Sequence, residues 1–401
     1  MKYNFDEIID RRHTNCMNTD GFRQYIFHAD ETMQFPYEDD EFIRMWIADM
    51  EFATPEVVVD AMHKRLDRRI FGYTRIFDPS YFKAYIDWCE KMYGWTPKRA
   101  DLFTSHGVIP ALYELTGYLC KSDEKVLMLT PSYAYFMHAA EYNHLDFVTS
   151  DLLNKNNDGY YEIDFEDFER KAADPKVTLC IFCNPHNPSG RIWTEDELRK
   201  VVDICLRNDV FLISDEIHCD LIRSNQKHTP MAKLFPDCDK IITCMAPSKT
   251  FNMAGMQISN IVIPNEEVKA LWRTYHNFDE NPLSITACQA AYEFGYDWLI
   301  ELRKYLDGNF EFVRDYLKEN LPKAVFRIPE ATYLGWVDIS AYVSPDIHLP
   351  TLFANEAGVL LEGGNMFVAN SDGYIRLNVA MPRTMLAEGL KRICDLLNSR
   401  K

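Results

Sequence analysis

"VTLCIFCNPHNPSGRIWTEDELRKVVDICLRNDVFLISDE", residues 177–216, holds the pattern from which the fold is read. "VTLCIFCNP" (177–185) and "VFLISDE" (210–216) open on near-continuous apolar runs, as strands covered on both faces do. Between them "TEDELRKVVDICLRND" places Leu198, Val201, Val202 and Cys205 at helical spacing. Thr194 and Glu197 stand where a capping box would start that helix. Working outward, "KVLMLTP" (125–131), "DFVTSDL" (146–152), "KIITCM" (240–245) and "NIVIP" (260–264) read as further strands. Strands alternating with helices from about residue 100 to 265 predict an α/β fold with a mostly parallel sheet. In such sheets ligands sit beyond the carboxyl ends of the strands.

The pattern changes after about residue 285. Helical stretches at 286–295 and 297–319 lead into "AVFRIPEATYLGWVDIS" (324–340), with "YIRLNVAM" (374–381) later. This predicts a smaller α+β domain over 286–401, joined by an N-terminal segment, 1–48, beside a large domain over 49–285. A chain of 401 residues, 47% hydrophobic, is ample for a large core. The formal charge of −18 argues against a nucleic-acid surface, which needs a clustered basic face. No run approaches the roughly 18 apolar residues of a membrane span. "MKYNFDEIIDRRH" (1–13) lacks the apolar stretch of a secretory leader, so a cytoplasmic protein is expected. Eleven cysteines then read as reduced core thiols. Cys180 and Cys183 have CxxC spacing, but positions i and i+3 of a strand point to opposite faces, and no metal site is expected.

Four strand ends carry unusual chemistry. "CIFCNPHNPSG" ends in a turn that projects the amide of Asn187 from the sheet edge. "FLISDEIHCD" puts Asp215 at the end of an apolar run, where an aspartate can also be a helix cap. "DLFTSHGVIPALYELTGYL" (101–119) puts Gly107 just before an amphipathic helix, and the free backbone N–H groups of such a helix start can hold a phosphate. "CMAPSKTFNMAG" (244–255) carries Lys249 out of a buried strand, a costly place for an unpaired charge. No G-x-G-x-x-G or Walker sequence supports a dinucleotide or nucleoside triphosphate site. A phosphate-binding helix start, a buried acid, an amide donor and a strand-end lysine together match pyridoxal 5'-phosphate, whose aldehyde condenses with a lysine and whose ring nitrogen needs a carboxylate.

With these residues in view, the chain resembles the fold-type I pyridoxal-phosphate enzymes of the aminotransferase class I/II superfamily, and within it the MalY/PatB family of cystathionine β-lyases. "WIADMEFATPEVV", "FGYTR", "GVIPAL", "TPSYAYF", "NPHNPSGR", "SDEIHCDL", "APSKTFNMAG", "TYLGWVDIS" and "YIRLNVAMPR" occur in the family's order and cover nearly the whole chain. The resemblance implies a seven-stranded, mostly parallel sheet between helices. It makes Lys249 the point of covalent cofactor attachment and Asp215 the partner of the ring nitrogen. Asn187 would bond the cofactor's 3′-oxygen, and Tyr133 would stack on the ring, although a tyrosine after a strand can also simply pack. The Gly107–Val108–Ile109 backbone and Ser248 would hold the phosphate. Tyr73 would reach the phosphate of a neighbouring subunit, which implies a homodimer. Arg376 would clamp the substrate α-carboxylate through its fork of donors, with an exposed strand-end ion pair as the other reading.

Two departures from the aminotransferase pattern stand out. His218 replaces a tyrosine three residues after the ring-nitrogen aspartate, and is either a cofactor contact or a structural histidine. "TFNMAGMQ" lacks the arginine that many aminotransferases offer the phosphate. Implied is a carbon–sulfur β-lyase acting on cystathionine or cysteine-type substrates, giving homocysteine or sulfide with pyruvate and ammonia. The alternatives are an aminotransferase using the same lysine, aspartate and arginine, and a MalY-like regulatory binding protein. "IADMEF" (47–52), Tyr333 and Asn365 are candidates for the substrate side, with core packing as the other reading.

Overall fold

Thr194 caps the helix Glu195–Arg207 as its sequence predicts: its Oγ1 accepts from Glu197 N at 3.2 Å, and Glu197 Oε2 accepts from Thr194 N at 2.8 Å. The apolar stripe Leu198, Val201, Val202 and Cys205 is buried. Strands Val177–Cys183 and Phe211–Asp215 flank this helix in sequence and lie side by side in parallel. The computed structural model describes residues 2–400. Around that unit the main sheet runs, in spatial order, Leu102–Ser105, Ser259–Val262, Ile241–Met245, Phe211–Asp215, Val177–Cys183, Lys125–Thr130, Asp146–Leu153 and Glu162–Ile163.

The five strands from Ile241–Met245 to Asp146–Leu153 are parallel, and antiparallel strands close both edges. The sheet therefore has one strand more than expected. Glu162–Ile163 is a two-residue edge strand, too short to leave a periodic signal in the sequence. Leu102–Ser105, hidden in a stretch read mainly for its helix start, pairs with Ser259–Val262 at the other edge.

Alternation along Val177–Cys183 divides the core. Cys180 and Phe182 pack on one face with Trp193 and Leu198, whereas Ile181 and Cys183 pack on the other with Val108 and Leu115. A second sheet of four antiparallel strands joins Val325–Phe326, Leu334–Asp338, Tyr374–Asn378 and Glu362–Gly363. The early strand Ile43–Arg44 pairs in parallel with Val359–Leu360, tying the start of the chain to its last quarter. Among the described residues no helix is long and apolar enough to cross a membrane.

Candidate active site

A cavity of about 310 Å³ opens at the carboxyl ends of the parallel strands, within the size range of small-molecule sites. Asp215 is the last residue of its strand and Asn187 lies in the turn after the neighbouring one; both reach the cavity wall. Lys249 arrives from the next strand, on the short helix Pro247–Thr250 that follows Ile241–Met245. Thus three of the four chemically unusual strand ends converge because their strands are adjacent and parallel. The fourth, Gly107, closes the cavity from the edge of the sheet.

Gly107 has φ of +129°, a backbone conformation that L side chains rarely adopt, and it precedes the helix Val108–Leu119. No side chain caps that helix, so the first-turn N–H groups of Val108 and Ile109 stand at the cavity wall across from Ser248. A helix start of this kind suits an anion.

Lys249 Nζ donates to Ala48 O at 2.8 Å. Ala48 belongs to the "IADMEF" segment, which two asparagines hold in place. Asn252 Nδ2 donates to Met50 O at 2.9 Å and Phe52 O at 2.8 Å, while Asn378 Nδ2 donates to Ile47 O at 2.8 Å and Asp49 O at 2.6 Å. Burial holds the Lys249 ammonium below the ordinary lysine value, with Arg376 adding to this and Asp49, Asp215 and Glu362 opposing it.

Burial also pushes Asp215 up to about 7, against the Ile217 N–H that its Oδ1 accepts at 3.1 Å. Asp215 thus closes a turn rather than capping a helix. His218 is buried and driven down to about 3, first by burial and then by the nearby Lys249 and Arg376 charges. Its Nδ1 is buried without a hydrogen-bond partner, a ring atom left for something that the protein itself does not supply. Tyr333, buried, sets its ring 6.3 Å from that imidazole.

Arg376 is buried, not an exposed strand-end arginine. Its Nη1 donates to Asn187 Oδ1 at 3.2 Å, and its Nη2 donates to Trp46 O at 3.1 Å and pairs with Glu362. Its Nε is buried and unpartnered. Tyr133, half-buried, lines the cavity from a two-residue strand that pairs with Phe367–Val368. Two expected residues lie elsewhere. Tyr73 is 98% exposed, on a separate surface hollow with Phe71 and Asp279. Asn365 lines an adjoining chamber and has His348 Nε2 at 3.0 Å from its Nδ2.

Sequence reasoning passed over Glu362, Tyr25 and Gln257, which also line the cavity. The signal for Glu362 was a lone charge closing the apolar run "GVLLEGG" (358–364). Tyr25 and Gln257 carried no comparable mark.

The family described as aminotransferase class I and II matches residues 41–393. Cystathionine beta-lyase PatB of Bacillus subtilis (strain 168) is 40% identical over 354 residues, covering 87% of this chain and 91% of that protein. Protein MalY of Escherichia coli (strain K12) is 28% identical over 402 residues, covering 99% of each. Among solved structures, the PLP-bound C-S lyase from Staphylococcus hominis superposes with a TM-score of 0.94 at 49% identity over 98% of both chains. With family match, relatives and cavity in agreement, the chain belongs to the aminotransferase class I and II family, in its MalY/PatB group.

Proposed function

We propose that the protein is a pyridoxal 5'-phosphate-dependent carbon–sulfur β-lyase that converts L-cystathionine or a related cysteine thioether into a thiol, pyruvate and ammonia. The observation that carries this reading is the convergence of Lys249, Asp215, Asn187 and Arg376 on one cavity beside an uncapped helix start. Relatives named cystathionine beta-lyase and C-S lyase support the choice of reaction. The donor set fits the cofactor. The N–H groups of Val108 and Ile109 with the Ser248 hydroxyl would take its phosphate, Asn187 Nδ2 its 3′-oxygen, Asp215 its ring N–H and Tyr133 its ring face. His218, with its unpartnered Nδ1, belongs to the same wall.

When bound, the cofactor supplies an aldehyde for the substrate amine and a ring that stores the electron pair released at Cα. The chain's own residues do the rest. Arg376 holds the α-carboxylate through donors that include its free Nε, which fixes the Cα–H bond relative to the ring. Lys249 Nζ takes the Cα proton, a role its lowered proton affinity suits. Asp215, ionised against a cationic ring N–H, keeps that nitrogen protonated. The apolar side chains of Val108, Ile109 and Ile258 limit the water that reaches Lys249.

Transamination would use the same lysine, aspartate and arginine, and the names of the relatives weigh against it. The same reading makes the protein a cytoplasmic homodimer, in keeping with its eleven free cysteines. It puts Tyr73 at the phosphate of the neighbouring subunit, and it divides the chain into a large domain, 49–285, and a small one formed by 1–48 and 286–401. Borohydride reduction of the purified protein followed by peptide mapping tests the cofactor assignment: the label is expected on Lys249, and attachment at another lysine overturns it.

A further inference from the structure

Lys249 rides on a helix of four residues, Pro247–Thr250, which closes a single turn and has no side-chain cap. So short a helix does little to fix its own direction. Two side-chain hydrogen bonds join it to other described residues. One is Lys249 Nζ to Ala48 O, but Nζ is the atom that must serve cofactor and substrate in turn. The other is Thr250 Oγ1, which donates to Asp220 Oδ2 at 2.9 Å.

Asp220 is buried behind the cavity and firmly held. Its Oδ1 accepts from Trp88 Nε1 at 3.1 Å and from the Tyr93 hydroxyl, both on the helix Ser80–Tyr93. Its carbonyl accepts from Arg303 Nε at 2.6 Å, on the helix Tyr296–Asn320. The three donors to its carboxylate are neutral, and a carboxylate among neutral donors is a costly way to fill space. Asp220 also ends a run of turns that begins at Asp215. Ile217 N donates to Asp215 Oδ1, Cys219 N to Glu216 O, and Leu221 N to His218 O. The carboxylate thus ties the wall that carries Asp215 and His218 to the lysine helix, which follows the next strand of the sheet.

We propose that Asp220 is a positioning residue: through Thr250 it holds the backbone of Lys249 at the distance from Asp215 and His218 at which Nζ reaches both the cofactor and the substrate Cα–H. This rests on the reading of Lys249 as the residue that joins the cofactor and takes the Cα proton, and it holds for lyase and aminotransferase chemistry alike. Misplacing a reacting group by about 1 Å can cost about 10²-fold in rate.

The test compares cofactor-loaded wild type, Thr250→Val, which keeps the size and removes the hydroxyl, and Thr250→Ser, which keeps the hydroxyl. Two quantities are read. The first is exchange of the L-alanine Cα proton for deuterium, followed by NMR; alanine has no leaving group, so exchange reports the lysine and not elimination. The second is the pH midpoint of the cofactor's absorbance change, which follows the geometry of its linkage to Lys249. Thr250→Val should slow exchange at saturating alanine about tenfold or more, with half-saturation within about twofold of wild type because Arg376 is untouched. Its midpoint should move by about half a pH unit or more. Thr250→Ser should keep both near wild type. Either quantity at its wild-type value in Thr250→Val overturns the proposal, as does a loss in Thr250→Ser equal to that in Thr250→Val. A rise in half-saturation that accounts for the slower exchange, or loss of the fold in Thr250→Val by circular dichroism, also overturns it. Wild type without a borohydride label on Lys249, or without exchange, removes the cofactor reading and the proposal together; a labelled, exchanging wild type with unmoved variants removes the proposal alone.

Discussion

Asp215 and His218, three residues apart on the cavity wall, have proton affinities displaced in opposite directions by the same burial. The consequence for stability without cofactor is a pair of opposed pH dependences. Native Asp215, at about 7 against an ordinary 3.8, holds a proton in mild acid that the unfolded carboxyl has released. Its contribution to stability grows as pH falls from 7 and is lost as pH rises through 7. His218, at about 3 against an ordinary 6.5, refuses a proton that the unfolded imidazole accepts. Its contribution is present above 6.5 and is lost as pH falls. Between roughly pH 6.5 and 4 the two nearly cancel. Asp215→Asn should therefore steepen the loss of stability in acid, and His218→Gln should flatten or reverse it, each by up to about 1.4 kcal/mol per pH unit. Urea unfolding of the cofactor-free protein at several pH values checks this; curves parallel to wild type would contradict it. At this scale the sequence revealed those residues whose chemistry is costly where it stands. Asp215 ends an apolar run and Lys249 closely follows one, so their cost is visible without a structure, while Asn187 shows in the Pro- and Asn-rich turn after a strand. Glu362 left a comparable mark, a lone charge closing an apolar run, but its pairing with Arg376 comes from strand register, which no local pattern encodes.

Among the elements, the turn after Val177–Cys183 has little room for change. Gly190 has φ of +70°, its N–H donates to His186 O at 2.7 Å, and its carbonyl accepts from Ala331 N at 3.0 Å. A Cβ there would lie 2.2 Å from Pro329 Cβ. Gly190→Ala should cost about 2 kcal/mol or more from backbone strain and overpacking together. Because this turn carries Asn187, weaker cofactor retention should accompany the lower melting temperature. Thermal unfolding and dialysis of the loaded protein measure both, and wild-type values for the pair would show that the turn tolerates a side chain. The long elements were legible because a buried strand or a capped amphipathic helix repeats one signal over many residues. The two-residue strands Glu162–Ile163, Ser132–Tyr133 and Phe367–Val368 have no period to detect. Their positions follow from the long elements around them, and Tyr133 owes its place at the cavity to such a pairing.

For the molecule as a whole, the surface around Tyr73 is the part a lone chain leaves unexplained. Ile70, Phe71, Tyr73 and Phe77 are 73%, 52%, 98% and 86% exposed, an apolar group of a kind that marks interaction surfaces. A homodimer would cover it and bring Tyr73 to the neighbouring cofactor. Phe77→Glu should then shift the protein from twice the chain mass toward the monomer in light scattering and loosen the cofactor, whereas an unaltered mass would place the interface elsewhere. The central claim concerns the bond that breaks, and the residues of the cavity serve both lyase and aminotransferase chemistry. It is tested most directly by supplying L-cystathionine to the loaded protein with no 2-oxo acid present and following pyruvate and free thiol together. Sustained release of the two in equal amounts, over many turnovers, is expected. A single turnover that stops until a 2-oxo acid is added would contradict the claim and make the protein an aminotransferase.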